Sequence, residues 1–285
     1  MKKIGKVNLA SKEIFPIGIG TWQIGDHAMN RENEIEAIQQ GLSQGIQLID
    51  TAEMYGDGKA EELVGEAIKN KKREDLFVVS KVLPKNANRK KLLESLDKSL
   101  QRLKINELDL YLLHWKSDIP LAETVASLEE VKKVRKIRAW GVSNFDTADM
   151  EELLALPQGK NCATNQIKYN IIDRGAEFDL LPYLQENQIT TMAYSPMIKG
   201  QWQQLTEEQR VVLLKISDDQ EISVGQIMLA WAIRDGSTIA IPKAGSPQHI
   251  RENVASATKK LTAEELILID SVFQAPTKKT DLALW

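Results

Sequence analysis

The chemistry in this chain collects at four residues of different type. Asp50-Thr51-Ala52-Glu53-Met54-Tyr55 puts a carboxylate and a phenol into one short segment, Ser80-Lys81 adds an ammonium, and Leu113-His114-Trp115 adds an imidazole. A free phenol, with a pKa of about 10, is a poor acid at neutral pH, and a neighbouring ammonium favours the phenolate. Lys81 is therefore expected to lower the pKa of Tyr55, with Asp50 fixing the ammonium. His114 is placed to donate a hydrogen bond to a substrate oxygen on which negative charge develops. Alone, each residue has an ordinary explanation: Asp50 as a cap, Tyr55 as a loop aromatic, Lys81 as a solvated cation, His114 as a partnered strand-end histidine. Only their order along the chain argues for a shared task.

That task requires elements able to bring residues some thirty positions apart to one place. Short runs rich in Val, Ile and Leu recur at Ile17–Ile19, Ile46–Ile49, Leu76–Val79, Leu108–Leu113, Ile137–Val142, Cys162–Ile167, Ile189–Ala193 and Thr238–Ile241. They are too short for helices and read as strands. Between them lie helical stripes such as Leu92, Leu96, Leu100 and Leu103, or Leu121, Val125 and Leu128. Pairs with capping-box spacing, Thr206 with Gln209, Ser223 with Gln226 and Thr262 with Glu265, mark helix starts. Eight strand–helix units predict an α/β fold, an eight-stranded parallel (β/α)8 TIM barrel, as a single domain over residues 1–285. An N-terminal hairpin, with Lys3–Val7 and Glu13–Phe15 flanking a turn, is expected to cap the bottom, and extra helices to follow near the C-terminus. An open doubly wound sheet is disfavoured because Gly18-Ile19-Gly20-Thr21-Trp22 lacks the third glycine of a dinucleotide fingerprint.

In a barrel the active site lies at the C-terminal ends of the strands. The residues expected at or just past those ends are Trp22, Asp50, Lys81, His114, Ser143-Asn144, Asn165-Gln166, Tyr194 and Lys243. Almost all are polar or aromatic, as a site for a polar ligand requires.

Together with Gly141-Val142-Ser143-Asn144-Phe145, Ala193-Tyr194-Ser195-Pro196 and Ile241-Pro242-Lys243, this set resembles the aldo-keto reductase family across nearly the whole chain. The resemblance implies a nicotinamide-dependent reductase of aldehydes and ketones. Tyr55 would be the general acid, Lys81 and Asp50 its tuners and His114 the orienting group, with hydride from the nicotinamide C4. It further implies cofactor contacts at Thr21, Trp22, Ser143, Asn144, Gln166, Tyr194 (the ring stacked on the nicotinamide) and Ser195 (near the pyrophosphate). Lys243, Ser246, His249, Glu252 and Asn253 would take the adenosine phosphate. Trp22, Met54 and Trp115 would wall the substrate pocket. Ser246-Pro247 independently reads as a helix N-cap with proline at the first position, and such an N-terminus receives anions. Where many family members carry an arginine against the 2′-phosphate this chain has His249, which lacks the fixed guanidinium fork. NADPH is the expected coenzyme and NADH the alternative. The segments around Asp50–Gly58 and Lys136–Asp146 are similar to bacterial methylglyoxal and general aldehyde reductases, which points to a small dicarbonyl. A barrel-retaining, nicotinamide-binding regulatory subunit is the alternative function, and a Schiff-base lyase or isomerase using Lys81 is a third.

A net charge of -3, from 37 basic and 40 acidic residues, gives no footprint for nucleic acid or anionic lipid. The expected partner is a small carbonyl compound, and the expected setting a cytoplasmic monomer. Cys162, the single cysteine, and three dispersed histidines argue against a disulfide or a metal site. Cys162 is expected to be an inert buried thiol at a strand start. The tail Gln274–Trp285 is expected to begin at a helix stopped by Pro276.

Overall fold

The computed structural model describes residues 5–198, 202–243 and 245–284. Two short strands, β1 (Val7–Leu9) and β2 (Lys12–Ile14), pair antiparallel through a turn at Ala10 and Ser11, both at positive φ. The hairpin is thus tighter and starts later than the sequence indicated, because a two-residue turn with left-handed backbone matches strand twist. Residues 1–4 of the expected first arm lie outside the described residues.

Eight strands follow: β3 (Ile19–Gly20), β4 (Leu48–Asp50), β5 (Phe77–Val82), β6 (Leu108–Leu113), β7 (Ile137–Ser143), β8 (Cys162–Lys168), β9 (Thr190–Tyr194) and β10 (Thr238–Ile241). They form one parallel sheet in chain order. Parallel bridges from Ile17 to Ala240 and from Gly20 to Lys243 bring its last edge to its first, making the expected barrel. Gly20 N donates to the Pro242 carbonyl at 3.0 Å, and a Cβ at Gly20 would sit 2.7 Å from the Ile241 carbonyl oxygen, so only glycine lets the edges meet.

Strand alternation divides the core. Leu48, Phe77, Val79, Leu110, Leu112, Met192, Ile239 and Ile241 fill the barrel, plugged below by Val7, Leu9 and Ile14 of the hairpin. Ile49, Val78, Tyr111, Trp140 and Ala240 belong to a second cluster that packs the barrel against its helices. The inward series continues upward to Asp50, Lys81 and Tyr194, two residues beyond Leu48, Val79 and Met192, and at that height the barrel turns from apolar to polar.

The surrounding helices are α1 (Arg31–Ser43), α2 (Lys59–Ala67), α3 (Arg89–Leu103), α4 (Leu121–Lys133), α5 (Thr147–Ala155), α6 (Leu180–Glu186), α7 (Glu207–Gln220), α8 (Val224–Ala232), α9 (Pro247–Ser256) and α10 (Ala263–Val272). The three expected capping boxes form reciprocally at the starts of α7, α8 and α10, and a fourth joins Asp146 to Asp149 at α5. Helix α10 ends at Val272, ahead of Pro276, with the Phe273 N–H on the Ile269 carbonyl. The chain from Gln274 to Leu284 has no regular structure; Lys279 pairs with Asp179, and Lys168 reaches the Leu284 carbonyl. Trp285 lies outside the described residues. Cys162 opens β8, buried, and its thiol is pushed up to about 12 by that burial, so it stays protonated. Among the described residues no helix is long and apolar enough to cross a membrane, and no group of His, Cys, Asp and Glu could hold a metal ion.

Candidate active site

Asp50 ends β4, Lys81 lies one residue before the end of β5, and His114 follows β6 directly. Tyr55 stands on a tight turn, Tyr55–Gly58, that leads into α2; Gly56, Asp57 and Gly58 all have positive φ there. The four side chains meet. Lys81 Nζ donates to Asp50 Oδ2 at 2.7 Å, to the Thr51 carbonyl at 2.9 Å and to Tyr55 Oη at 3.0 Å. Lys81 is fully buried, Asp50 and Tyr55 nearly so, and the ammonium also lies 4.7 Å from the Tyr55 ring centroid. The imidazole of His114 stands edge-on to Tyr55 at 5.8 Å.

Burial and charge compete at each group. Burial raises the Tyr55 pKa, and the opposing pull of Lys81 does not overcome it. Lys81 does pull the phenol's pKa down, as the sequence indicated, but desolvation outweighs it, so the net shift is upward and Tyr55 keeps its proton. Burial pulls the Lys81 ammonium down, but Asp50, then Tyr55, and the hydrogen bonds to both leave its pKa raised. A lysine held in the charged form has no lone pair for attack on a carbonyl, which removes the basis for the Schiff-base alternative. Burial, with Lys81 second, pushes His114 down to about 3, so its ring is neutral. Its Nδ1 is buried with no partner among the described residues.

Behind this cluster lies a second set of polar residues. Gln166 Nε2 donates to Asp50 Oδ1 at 2.7 Å, Ser143 Oγ to the Gln166 carbonyl at 2.8 Å, and Asn144 Nδ2 to Ser143 Oγ and the His114 carbonyl. Tyr194 Oη donates to Asn144 Oδ1 at 2.8 Å. Asn144 adopts φ 60°, a conformation asparagine tolerates, and so keeps its amide between His114 and Tyr194. Thr21 lines the site with its hydroxyl committed to the Asp50 carbonyl at 2.9 Å. Asn165, the other residue expected at this strand end, turns away and exchanges hydrogen bonds with the Phe145 backbone.

From Asp50 and Tyr55 a cleft of about 810 Å³ runs past Trp22, Tyr194 and Ser195 to Lys243, Ser246, His249, Glu252 and Asn253. It is large and elongated enough for a dinucleotide. Its far end is the start of α9, where Ser246 Oγ accepts from the His249 N–H and Pro247 takes the first helical position, as the sequence indicated. Lys243 Nζ reaches across to the Gln23 carbonyl at 3.3 Å. Asn253 is buried and its Nδ2 has no partner among the described residues, a costly arrangement unless a ligand accepts from it. An adenosine group fits that requirement. Of the wall formed by Met197, Trp202, Val224, Gln226 and Met228, sequence reasoning pointed to Met197 and Trp202 and missed the part on α8, Val224, Gln226 and Met228. Its only signal was the long segment after β9 with a capped helix start at Ser223. Trp22, which lines the cleft, stands edge-on to Tyr55 at 5.0 Å with Met54 packed beside Tyr55, whereas Trp115, 4.9 Å from His114, lines a separate hollow together with Met54.

The fold and rim define a (β/α)8-barrel oxidoreductase with a buried acid–base cluster at the end of a nucleotide-sized cleft. The chain belongs to the aldo/keto reductase family, whose model matches residues 16–274. It is 44% identical over 266 residues to the methylglyoxal reductase YeaE of Escherichia coli K12, covering 93% of each chain. It is 32% identical to an NADH-specific methylglyoxal reductase of the same organism, covering 91% of this chain and 94% of the other. A crystal structure of an aldo/keto reductase from Klebsiella pneumoniae in complex with NADP and acetate superposes with a TM-score of 0.96 at 40% identity, covering 99% of this chain and all of that one. A second Klebsiella structure, with NADPH, gives 0.94 at the same identity.

Proposed function

We propose that this chain, acting as a monomeric single-domain barrel in the cytoplasm, uses NADPH to reduce a small aldehyde or ketone to the alcohol, with methylglyoxal the leading substrate. The observation that carries the reading is the hydrogen-bonded chain Asp50–Lys81–Tyr55 beside a neutral His114, at one end of a cleft that fits a dinucleotide. When bound, NADPH supplies the hydride. Tyr55 Oη gives its proton to the carbonyl oxygen as negative charge develops there. The Lys81 ammonium, 3.0 Å away, stabilises the phenolate that remains, and Asp50 keeps that ammonium charged. Neutral His114 donates one N–H to the same oxygen without competing for its proton. Ser143, Asn144 and Gln166 would hold the carboxamide and Tyr194 would back the ring, while Ser195, Lys243, Ser246, His249, Glu252 and Asn253 would take the phosphates and adenosine. Trp22 on the cleft, with Trp115 beside His114 and Met54 beside Tyr55, suits a small carbonyl compound, and the names of the two methylglyoxal reductases above support a dicarbonyl.

The test is Tyr55→Phe assayed beside the wild type for NADPH oxidation with a panel of aldehydes including methylglyoxal. Loss of the acid should lower kcat by about 10²–10⁴-fold while NADPH affinity is kept. A variant as fast as the wild type would remove Tyr55 from the reaction. A wild type that binds NADPH tightly but oxidises none with any carbonyl would favour the regulatory-subunit reading.

A further inference from the structure

One buried ion pair lies outside the site yet touches both elements that set its central distance. Glu61, on the first turn of α2, is fully buried. Its Oε1 accepts from Ser80 Oγ at 2.5 Å, and its Oε2 accepts from Arg102 Nε at 2.6 Å and Nη2 at 2.5 Å. Arg102 comes from the last turn of α3, where its Nη2 also reaches Ser99 Oγ at 3.3 Å. Ser80 immediately precedes Lys81 on β5, its side chain on the helix face while that of Lys81 enters the barrel. The Arg102 side chain meanwhile packs closely against Gly58, the last residue of the Tyr55 turn: a Cβ there would sit 2.7 Å from Arg102 Cδ and Nε and 3.1 Å from Cζ. Gly58 has φ 91°, and Asp57 before it φ 54°. A turn of three successive left-handed residues is costly for its one non-glycine member and persists only where its surroundings impose it.

We propose that Glu61 and Arg102 are positioning residues that hold Tyr55 within hydrogen-bonding distance of Lys81. A single carboxylate fixes the strand of Lys81 through Ser80, and through Arg102 it braces the turn that carries Tyr55. The charges need each other, because a carboxylate removed from water is stable only when paired and hydrogen-bonded. The planar guanidinium also supplies a rigid face to Gly58 that a lysine stem cannot reproduce. The inference rests on Tyr55 being the proton donor.

The experiment is a double-mutant cycle with methylglyoxal as the probe substrate, using Arg102→Ala, Tyr55→Phe and the combined variant, with NADPH affinity measured for each. Displacement of Tyr55 by a fraction of an ångström to an ångström should lower kcat by about ten- to a hundredfold in Arg102→Ala, with NADPH affinity unchanged. In the Tyr55→Phe background the same substitution should leave the residual rate where it was, since there is no donor left to misplace. Arg102→Lys, which keeps the charge on Glu61 but not the planar face, should show the same pattern with a smaller loss. It carries the cycle if Arg102→Ala does not fold. Equal fold-losses in both backgrounds, or no loss in kcat, would overturn the positioning role. Failure of the underlying reading looks different, because Tyr55→Phe alone would then run at the wild-type rate.

Discussion

His114 shows how the same burial that shapes chemistry writes itself into stability. Its pKa falls from 6.5 to about 3 in the folded protein, so below pH 6.5 the unfolded chain takes up a proton that the folded chain refuses. The folded state therefore has this contribution in full above pH 6.5 and loses it as pH falls towards 3, with a limiting slope of about 1.4 kcal/mol per pH unit. Urea unfolding of wild type and His114→Asn between pH 7 and pH 4.5 should show the difference in unfolding free energy shrinking as pH falls; parallel curves would mean that His114 takes up its proton equally in the folded and unfolded states. At this scale the sequence was readable in kind but not in sign. The identities of Asp50, Tyr55, Lys81 and His114, and their order, sufficed to bring them together. The direction of the Tyr55 shift depended on how much water burial removes, which residue types and spacing do not encode.

Helix α2 links that cluster to the shell around the barrel, and one contact on it decides between two opposing preferences. Gly65 lies inside the helix, where alanine would be favoured by about 1 kcal/mol on propensity alone. A Cβ there would sit 2.6 Å from the Arg102 carbonyl oxygen and 2.8 Å from the Leu103 carbonyl carbon and oxygen, at the end of α3. Those are backbone atoms, which cannot rotate aside, and overpacking of this kind costs about 1–3 kcal/mol. Gly65→Ala should therefore destabilise the protein by up to about 2 kcal/mol net, seen as a lower urea midpoint with unchanged slope; a raised midpoint would show that the α2–α3 contact yields. The alternation of strands and helices, the leucine stripe of α3 and three capping boxes were legible because each is a local rule. The Asp146–Asp149 box was not, since aspartate replaces the longer Glu or Gln at its third position. The Glu61–Arg102 pair was hidden for a different reason. Strands of a parallel barrel are buried on both faces, so the sequence gives no parity to tell Ser80, facing the helices, from Lys81, facing the site. The faint signal was the row Ser95, Ser99 and Arg102 beside the leucine stripe, hydroxyls and a cation where a solvated face would have no reason to be selective.

The whole barrel enters through the cleft, whose lining runs from the β4 loop at Tyr55 to α9 at Asn253 and so joins distant parts of the chain. A coenzyme held there binds only the folded state and stabilises it by RT ln(1 + [L]/Kd), about 2.7 kcal/mol at a hundred times Kd, enough to raise Tm by several degrees. Lys243 is the cation of that lining nearest the β3 loop, through Gln23, and stands three residues before the Ser246 cap. NADPH and NADH differ only in the 2′-phosphate, so any loosening of the Gln23 loop by Lys243→Ala affects both coenzymes, whereas loss of the phosphate contact affects NADPH alone. The exposed His249 on α9 offers no guanidinium fork to compensate. Thermal shifts measured with each coenzyme at equal concentration should therefore fall for NADPH by more than for NADH in Lys243→Ala. Equal reductions would move the phosphate away from Lys243 and leave coenzyme choice to the start of α9.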